Sequence, residues 1–380
     1  MIRKLLPLVF VFISFQLFSQ NPEKVYSIVR TDKDYTWYEQ QAKAWRGELR
    51  KNKKDGQAWI NFYTANRMAM LLNESKWRET TEDYFQPLDK IVEQAKHTIP
   101  NTFEFYYLET YNDGDPSSKA HDEALMNAQK LRPFDSLLLS HLMNYYQLHR
   151  DAKGIETISQ VWFDRNEMPS GLLNTAYNQL MSVDEHAILF VNGDNDTYPN
   201  WILQSAKNIR KDVLILNVSL LLIDSYRDEI FKENQIPELK SDELNFDSSN
   251  LIAHVIKNIK NRPVYVSTFL DTDLYKSYAD NMYLVGLAFK YSETNFNNLA
   301  VLQNNFENKF LVDYLKIDFS NQIGQSVVNK VKSGYIAMLL KLYENYKLCG
   351  EIYKAENTKK LAQSIATLNS DKDWMSYFGE

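Results

Sequence analysis

The sequence is poor in cysteine, glycine and proline, and each shortage excludes a class of fold. Cys349 is the single cysteine among 380 residues, so an internal disulfide framework is excluded. The 11 glycines and 10 prolines are few for this length, which favours helices over loop-rich β structure. Apolar cores must therefore hold the chain together, and a hydrophobic content of 44% is enough for two or three domains.

Positive charge is also scarce. Lysine and arginine number 43 against 49 acidic residues, which gives a formal net charge of -6. Nucleic acids and anionic lipids are bound mainly through clustered lysine and arginine, so this balance disfavours both as general partners. The one basic run, residues 46–54, is explained as a solvated helix end. We expect no nucleic-acid partner.

Long apolar runs are absent after the first 20 residues. Residues 1–20 place Arg3 and Lys4 before an apolar run that is shorter than the roughly 20 residues a membrane span needs. This order predicts a cleaved secretory signal peptide, with an uncleaved anchor as the alternative. No cysteine follows the run, so lipidation at the N-terminus is not expected. We expect an exported protein, periplasmic or secreted, whose mature chain has no transmembrane span.

Residues 21–183 have apolar positions three and four apart throughout, which predicts a run of helices. Short polar breaks separate the predicted helices, and breaks of that length favour antiparallel neighbours. The first three predicted helices are 35–51, 56–72 and 77–97. The stretch 131–163 resembles a tetratricopeptide-type helix pair, with Pro133 in the preceding turn and aromatic residues at a packing position. We predict an N-terminal helical repeat-like domain, and an irregular helical bundle is the alternative.

The pattern changes at residue 184. Apolar runs of strand length occur at 187–191, 213–216, 263–267 and 283–289, and helical segments alternate with them. This alternation predicts a small parallel α/β sheet over residues 184–300. Residues 301–380 are again helical and predict a closing helical pair packed on the sheet. The predicted fold is thus an α+α/β arrangement of three parts behind a signal peptide.

Acidic residues follow the first predicted strand, in the stretch 192–197 with the sequence NGDNDT. The carboxyl edge of an open parallel sheet is where ligands usually bind. Asp194, Asn195 and Asp196 carry oxygen atoms that can coordinate a divalent cation or accept a hydrogen bond from a sugar hydroxyl. Asn217 follows the next strand. If a metal binds, Asp194 and Asp196 are its predicted ligands. A turn that caps the following helix, with Pro199 at its first position, explains the same residues without a ligand.

Asp271 and Asp273 follow the third predicted strand and would reach the same edge. Trp201, close to the acidic stretch, could stack against a sugar ring. Solvated loops are the favoured explanation for the two aspartates, and core packing is the favoured explanation for the tryptophan. Known catalytic and cofactor motifs are absent from the sequence, including G-x-G-x-x-G, the Walker loop and G-x-S-x-G. We therefore identify no cofactor, although a divalent cation fits the acidic stretch.

The stretch 187–221 resembles a segment in the soluble C-terminal region of large multi-spanning bacterial membrane proteins. Those proteins form a domain family of unknown function that is similar to glycosyltransferases and protein O-mannosyltransferases. The resemblance rests on the run GDNDTYP from Gly193, on Trp201 and Gln204, on Arg210 with 212–213, and on Asn217 with 219–221. A second similar stretch begins at Arg262, so that the resemblance covers residues 184–295.

In that family the enzymatic activity belongs to the membrane-embedded half, which this chain lacks, so the resemblance implies an exported α/β domain without that activity. We expect a non-catalytic binding or scaffold protein of the cell envelope. Its helical half would dock a protein partner, and its α/β half would bind a glycan or an ion at the GDND stretch. One alternative is an enzyme that acts on carbohydrate or envelope polymer through Asp194 and Asp196. The other is an interaction protein in which the stretch is purely structural.

Overall fold

The computed structural model describes residues 22–73, 86–240, 248–317 and 324–378. The predicted signal peptide, residues 1–20, lies outside them. In the described part the chain forms a helical half, a five-stranded sheet flanked by helices, and a set of closing helices. This arrangement confirms the predicted α+α/β fold class. None of the helices in these four ranges combines the length and the apolar character that crossing a membrane requires.

The helical half agrees closely with the predicted periodicity. Aspartate, serine or threonine side chains cap several of its helices; Asp34, for example, accepts the backbone N–H of Trp37. Most successive helices contact one another, and the short connections between them favour an antiparallel arrangement. Part of the predicted helix 77–97 lies outside the described residues. The helices are α1 Tyr35–Lys51, α2 Gly56–Leu72, α3 Gln86–Thr98, α4 Phe103–Asn112, α5 Lys119–Leu131, α6 Leu139–Leu148, α7 Ala152–Asp164 and α8 Ser170–Ser182.

The next part contains the sheet and its helices. The strands are β1 Ile188–Val191, β2 Leu214–Asn217, β3 Val264–Ser267, β4 Met282–Leu284 and β5 Ala288–Tyr291; the helices are α9 Asp194–Lys207, α10 Asp224–Glu233 and α11 Ser248–Asn258. The spatial order of the strands is β2-β1-β3-β5-β4. β1 runs parallel to both β2 and β3, whereas β5 is antiparallel to β3 and to β4.

The sheet is therefore mixed, and the prediction of a purely parallel sheet was wrong for its last two strands. The stretch 283–289, which was predicted as one strand, is divided between β4 and β5. The division falls at Gly286, where a side chain would collide with Ser182 and with the ring of Phe310. The chain turns back at this point and forms an antiparallel hairpin.

The closing part contains α12 Asn298–Asn308, α13 Asp313–Lys316, α14 Gln325–Lys332, α15 Ile336–Leu348, α16 Ile352–Leu368 and α17 Lys372–Phe378. Apolar spacing also predicts a helix over residues 307–317, and its bounds were wrong: α12 ends at Asn308, and only the short helix α13 lies inside the predicted range. The predicted closing pair is confirmed, and α15 packs against α16. Gly350, between them, has a φ of 77°, a conformation that glycine adopts without strain.

The largest hydrophobic core passes without interruption from the helical half into the sheet. It includes Trp59 of α2, Leu142 of α6, Phe190 of β1 and Val266 of β3. A second core lies mainly among the closing helices, around α15 and α16. Since the helical half and the sheet share one core, α9 and the carboxyl end of β1 face the helices directly.

Candidate functional site

Most of the stretch 192–197 forms the first turn of a helix. The prediction had placed this stretch in a turn and the start of the helix at Pro199. Gly193 has a φ of 74° and lets the chain turn sharply out of β1, so that α9 begins at Asp194. Pro199 lies inside the helix, in its second turn. Asp194 and Asp196 thus occupy a helix N-terminus, where the free backbone N–H groups and the helix dipole favour carboxylates.

Asp196 points into the core and joins three parts of the chain. Its Oδ1 accepts hydrogen bonds from Gln179 Nε2 of α8 at 2.8 Å and from Ser267 Oγ of β3 at 3.0 Å. Its Oδ2 accepts the backbone N–H of Asn192 at 3.1 Å. Burial raises the pKa of Asp196 to about 6, and the three donors partly offset this effect. These contacts give Asp196 a structural role at the end of β1.

Asp194 faces the other way, into a cavity of about 440 Å³ between the helical half and α9. We call this space the junction cavity. Burial raises the pKa of Asp194 to about 6, and a hydrogen bond from Tyr198 partly offsets the rise. Within the described ranges no lysine, arginine or histidine forms an ion pair with Asp194.

Aromatic rings form much of the wall of the junction cavity. Tyr107 and Tyr111 of α4 stack with their centroids 5.6 Å apart, and Trp162 of α7 lies 5.3 Å from Tyr198 of α9. The hydroxyl oxygen of Tyr198 also lies 3.2 Å from Asn144 Oδ1 of α6. The helical half and α9 therefore present flat apolar faces and hydrogen-bonding groups to the same space.

The wall also contains a guanidinium group and a neutral imidazole. Arg67 of α2 lies over the ring of Tyr111, 4.7 Å from its centroid, and donates to the hydroxyl of Tyr63 at 3.1 Å. Burial lowers the pKa of His141 to about 3, so this imidazole is uncharged at neutral pH. Arg67 thus supplies positive charge at the wall, and His141 supplies a neutral donor and acceptor.

The remaining wall is the segment that precedes α1. Residues 24–30 line the cavity, and Asn195 Nδ2 donates to the carbonyl oxygen of Val29 at 3.2 Å. Asn195 therefore connects the start of α9 to the N-terminal segment. Gly324 and Val327, at the start of α14, complete the enclosure.

The other predicted ligand residues lie away from the junction cavity. Asn217 donates to Thr197 Oγ1 and accepts the backbone N–H of Leu220, so both ends of its amide are engaged within the fold. Trp201 is only 4% exposed and packs in the core. Asp271 accepts the backbone N–H of Asp273, whose own carboxylate is highly exposed. The structure thus brings Asp194 and Asn195 to the cavity, and it separates them from the remaining five predicted residues.

Nowhere in the described ranges do three or more histidine, cysteine, aspartate or glutamate side chains stand close enough to hold a metal ion. Asp194 and Asp196, the predicted metal ligands, face different surroundings. The residues that sequence reasoning missed are Arg67, Tyr111, His141 and Asn144. They are scattered over three helices and carry no spacing that marks a site, so only the packing of the helices against α9 identifies them.

Comparison with known proteins gives one partial match. Residues 172–245 match the model of a family described as TMEM260-associated domain 2. No curated protein and no solved structure matches the chain. The matched stretch starts in α8 and contains β1, α9, β2 and α10, and it therefore includes Asp194 and Asp196. It overlaps residues 184–295, for which the sequence predicts a family resemblance.

Proposed function

We propose that this protein is a binding protein of the cell envelope that takes a glycan end or a similar polyhydroxylated ligand into the junction cavity. The observation that carries the proposal is the position of Asp194, whose carboxyl group faces a partly enclosed aromatic space. Asp194 is half-buried, and desolvation of a carboxyl group is costly unless something compensates for it. Ligand hydroxyl groups that donate to Asp194 would supply that compensation.

The other residues that line the junction cavity also suit a polyhydroxylated ligand. A volume of about 440 Å³ lies within the usual range of small-molecule sites. The rings of Tyr107 and Trp162 offer apolar surface for the faces of sugar rings, while Asn144 and His141 offer uncharged hydrogen-bonding groups. A divalent cation fits less well, because it needs six or more oxygen ligands, and Asp194 and Asp196 do not converge on one point.

The setting and the partner are also part of the proposal. The N-terminal sequence supports export to the periplasm or beyond. The array of paired helices supports a second role for the helical half, the docking of a protein partner. In this scheme the protein joins an envelope glycan to another envelope protein.

The glycan proposal can be tested by thermal denaturation of the mature protein with a panel of mono- and disaccharides, and separately with Ca²⁺ and Mg²⁺. We expect at least one saccharide to raise the Tm of the wild type and the shift to be lost in Asp194→Asn. Asp273→Asn is the matched control, because its carboxylate is exposed and outside the cavity. An equal shift in wild type and Asp194→Asn, or a response to the cations alone, would refute the glycan proposal.

A second candidate is an enzyme that acts on carbohydrate, with Asp194 as its acid or base. The pKa of about 6 favours it, because a carboxyl group that titrates near neutrality can exchange protons during a reaction. Glu167 and Asp113 line the same cavity and could supply the second carboxylate of a glycosidase mechanism. Product formation from an oligosaccharide that binds, abolished in Asp194→Asn while binding persists, would favour the enzyme.

A further inference from the structure

The segment in front of α1 has neither helix nor strand over residues 22–27, yet it is held along its length by hydrogen bonds to its backbone. Glu23 N donates to Gln41 Oε1, and Glu23 O accepts from Trp45 Nε1, both at 2.8 Å. Val25 N donates to Asn61 Oδ1 at 2.8 Å, and Tyr26 O accepts from the hydroxyl of Tyr38 at 2.9 Å.

Side chains of α1 and α2 supply all four of these contacts. Where the chain is described, the hydrogen bonds between residues 23–29 and the rest of the protein use backbone atoms of the segment. A different extended peptide would present the same backbone groups. The contacts therefore recognise an extended polypeptide largely without regard to its sequence.

Val25 is the one side chain of the segment that is deeply buried, with an exposure of 6%. It packs in a small separate cluster against Ala42, Ala65 and Ala69, whose short side chains leave room for it. Its neighbours Lys24 and Ile28 are exposed. The recognition pattern is thus one buried aliphatic residue between positions that accept other side chains.

Polar side chains on α1 and α2 are oriented to bind a peptide backbone. Gln41 and Asn61 are polar, and each is only 1% exposed. Asn61 Nδ2 donates to the carbonyl oxygen of Gln57 at 2.8 Å, which aims its Oδ1 at the segment. Without a peptide backbone in place, both side-chain oxygens would exchange their backbone N–H donors for water.

We propose that α1 and α2 form a groove for an extended peptide of a protein partner, and that residues 23–26 occupy it in cis. The partner segment is extended, has a β-branched aliphatic residue at the position of Val25 and is otherwise bound through its backbone. This inference rests on the proposed function only in giving the helical half a protein partner. The tethered segment is present at an effective concentration on the order of millimolar, so a partner competes poorly unless the segment is released.

The probe is a fluorescent synthetic peptide with the sequence of residues 22–31, PEKVYSIVRT, and the readout is fluorescence anisotropy with the mature full-length protein. Val25→Asp should release the tethered segment and leave the groove intact. We expect this variant to bind the probe at least about tenfold more tightly than the wild type. Ile28→Asp is the matched control, since its exposed side chain should not release the segment.

Two further changes test the contacts. Adding Asn61→Ala to Val25→Asp should abolish binding of the probe, and a probe that itself carries Val25→Asp should not bind. Failure of the folded Val25→Asp protein to bind the probe, with an unchanged Tm, would overturn the proposal. These outcomes are independent of the saccharide panel, so failure of the peptide groove and failure of the glycan site are distinguishable.

A second measurement covers the case in which Val25→Asp does not fold. A site for a specific protease is placed between Thr31 and Asp34 of the full chain, and the folded protein is cleaved there. We expect the cleaved protein to stay folded and to exchange its own segment for the labelled peptide. Loss of the melting transition on cleavage, or failure to exchange, would show that the segment is an integral part of the core and would overturn the proposal.

Discussion

Asp194 and Asp196 are separated by one residue, yet their carboxyl groups lie in different surroundings. Asp196 accepts three hydrogen bonds inside the protein, whereas Asp194 faces the junction cavity. Residues two apart on a helix point in directions about 160° apart, which is what their position in the first turn of α9 produces. Their substitution should therefore have different consequences.

Asp196→Ala should lower the free energy of unfolding by about 3 kcal/mol, because it leaves the donors of Gln179, Ser267 and Asn192 without their acceptor. Asp194→Ala should change the same quantity by less than about 1 kcal/mol at pH 4, where the carboxyl group of Asp194 is protonated. Urea denaturation of both variants at pH 4 measures the difference. Equal losses in the two variants would contradict the separate roles of the two carboxyl groups.

The stability of the protein should depend on pH through Asp194. Burial raises its pKa to about 6, so between about pH 4 and pH 6 the folded state retains a proton that the unfolded chain releases. Stability is therefore lost as the pH rises through this window. A difference of about two pKa units corresponds to about 2 to 3 kcal/mol.

Asp194→Asn cannot ionise at this position, so it should keep only the loss that comes from Asp196, whose pKa burial also raises to about 6. Its stability relative to the wild type should rise by about 2 to 3 kcal/mol between pH 4 and pH 7. Urea denaturation of both proteins at pH 4, 5, 6 and 7 tests the expectation. If the two stabilities run parallel across the range, the carboxyl group of Asp194 does not have a raised pKa.

The helices and the three buried strands could be predicted from the sequence, because a single apolar period decides each of them. The predicted bounds of α1 and α2 agree with the structure to the residue. The start of α9 was predicted too late, because Pro199 is favoured at the first position of a helix and the stretch before it has turn-forming residues. Because Gly193 has a positive φ, the chain turns directly after β1 and the helix begins at Asp194.

The junction cavity could not be predicted, because its walls come from distant parts of the chain. Arg67, His141 and Asp194 meet only after α2, α6 and α9 have packed around one core. No local sequence pattern indicates that these three residues lie close together in the folded protein. The sequence identified Asp194 and Asn195 as polar groups at a strand end, and it could not show that Asp196, one residue further, turns inward.

Gly286 offers a test of the tight contact between the hairpin of β4 and β5 and the end of α8. A methyl group at this position would collide with Ser182 Oγ, which donates to Asn178 O and accepts from Leu287 N. We expect Gly286→Ala to lower the free energy of unfolding by about 2 to 3 kcal/mol.

Gly47 is the control, because it lies inside α1 and an added methyl group meets nothing within 4 Å. Gly47→Ala should stabilise the protein by up to about 1 kcal/mol, since alanine favours the helix more than glycine does. Thermal or urea denaturation of both variants gives the comparison. A neutral Gly286→Ala variant would show that the hairpin can shift to accept a side chain.

Arg210 holds the connection between α8 and β1 in place. Its guanidinium donates to the carbonyl oxygens of Leu180 and Asp184 at 2.7 Å and of Val183 at 3.0 Å, and it pairs in two places with Asp212. Hydrogen bonds from Arg210 are the main cause that lowers the pKa of Asp212 to about 2. A lysine ammonium cannot reproduce this planar set of donors.

Arg210→Lys should therefore lower the free energy of unfolding by about 2 to 3 kcal/mol, and Arg132→Lys, in an exposed ion pair, by less than about 1 kcal/mol. A lowered carboxyl pKa adds stability above the unfolded value near 4, and this stability is lost as the pH falls towards 2. The gap between wild type and Arg210→Lys should thus narrow below pH 4. Urea denaturation from pH 6 to pH 3 measures this gap, and a gap that stays constant would mean that Asp212 keeps its low pKa without the guanidinium.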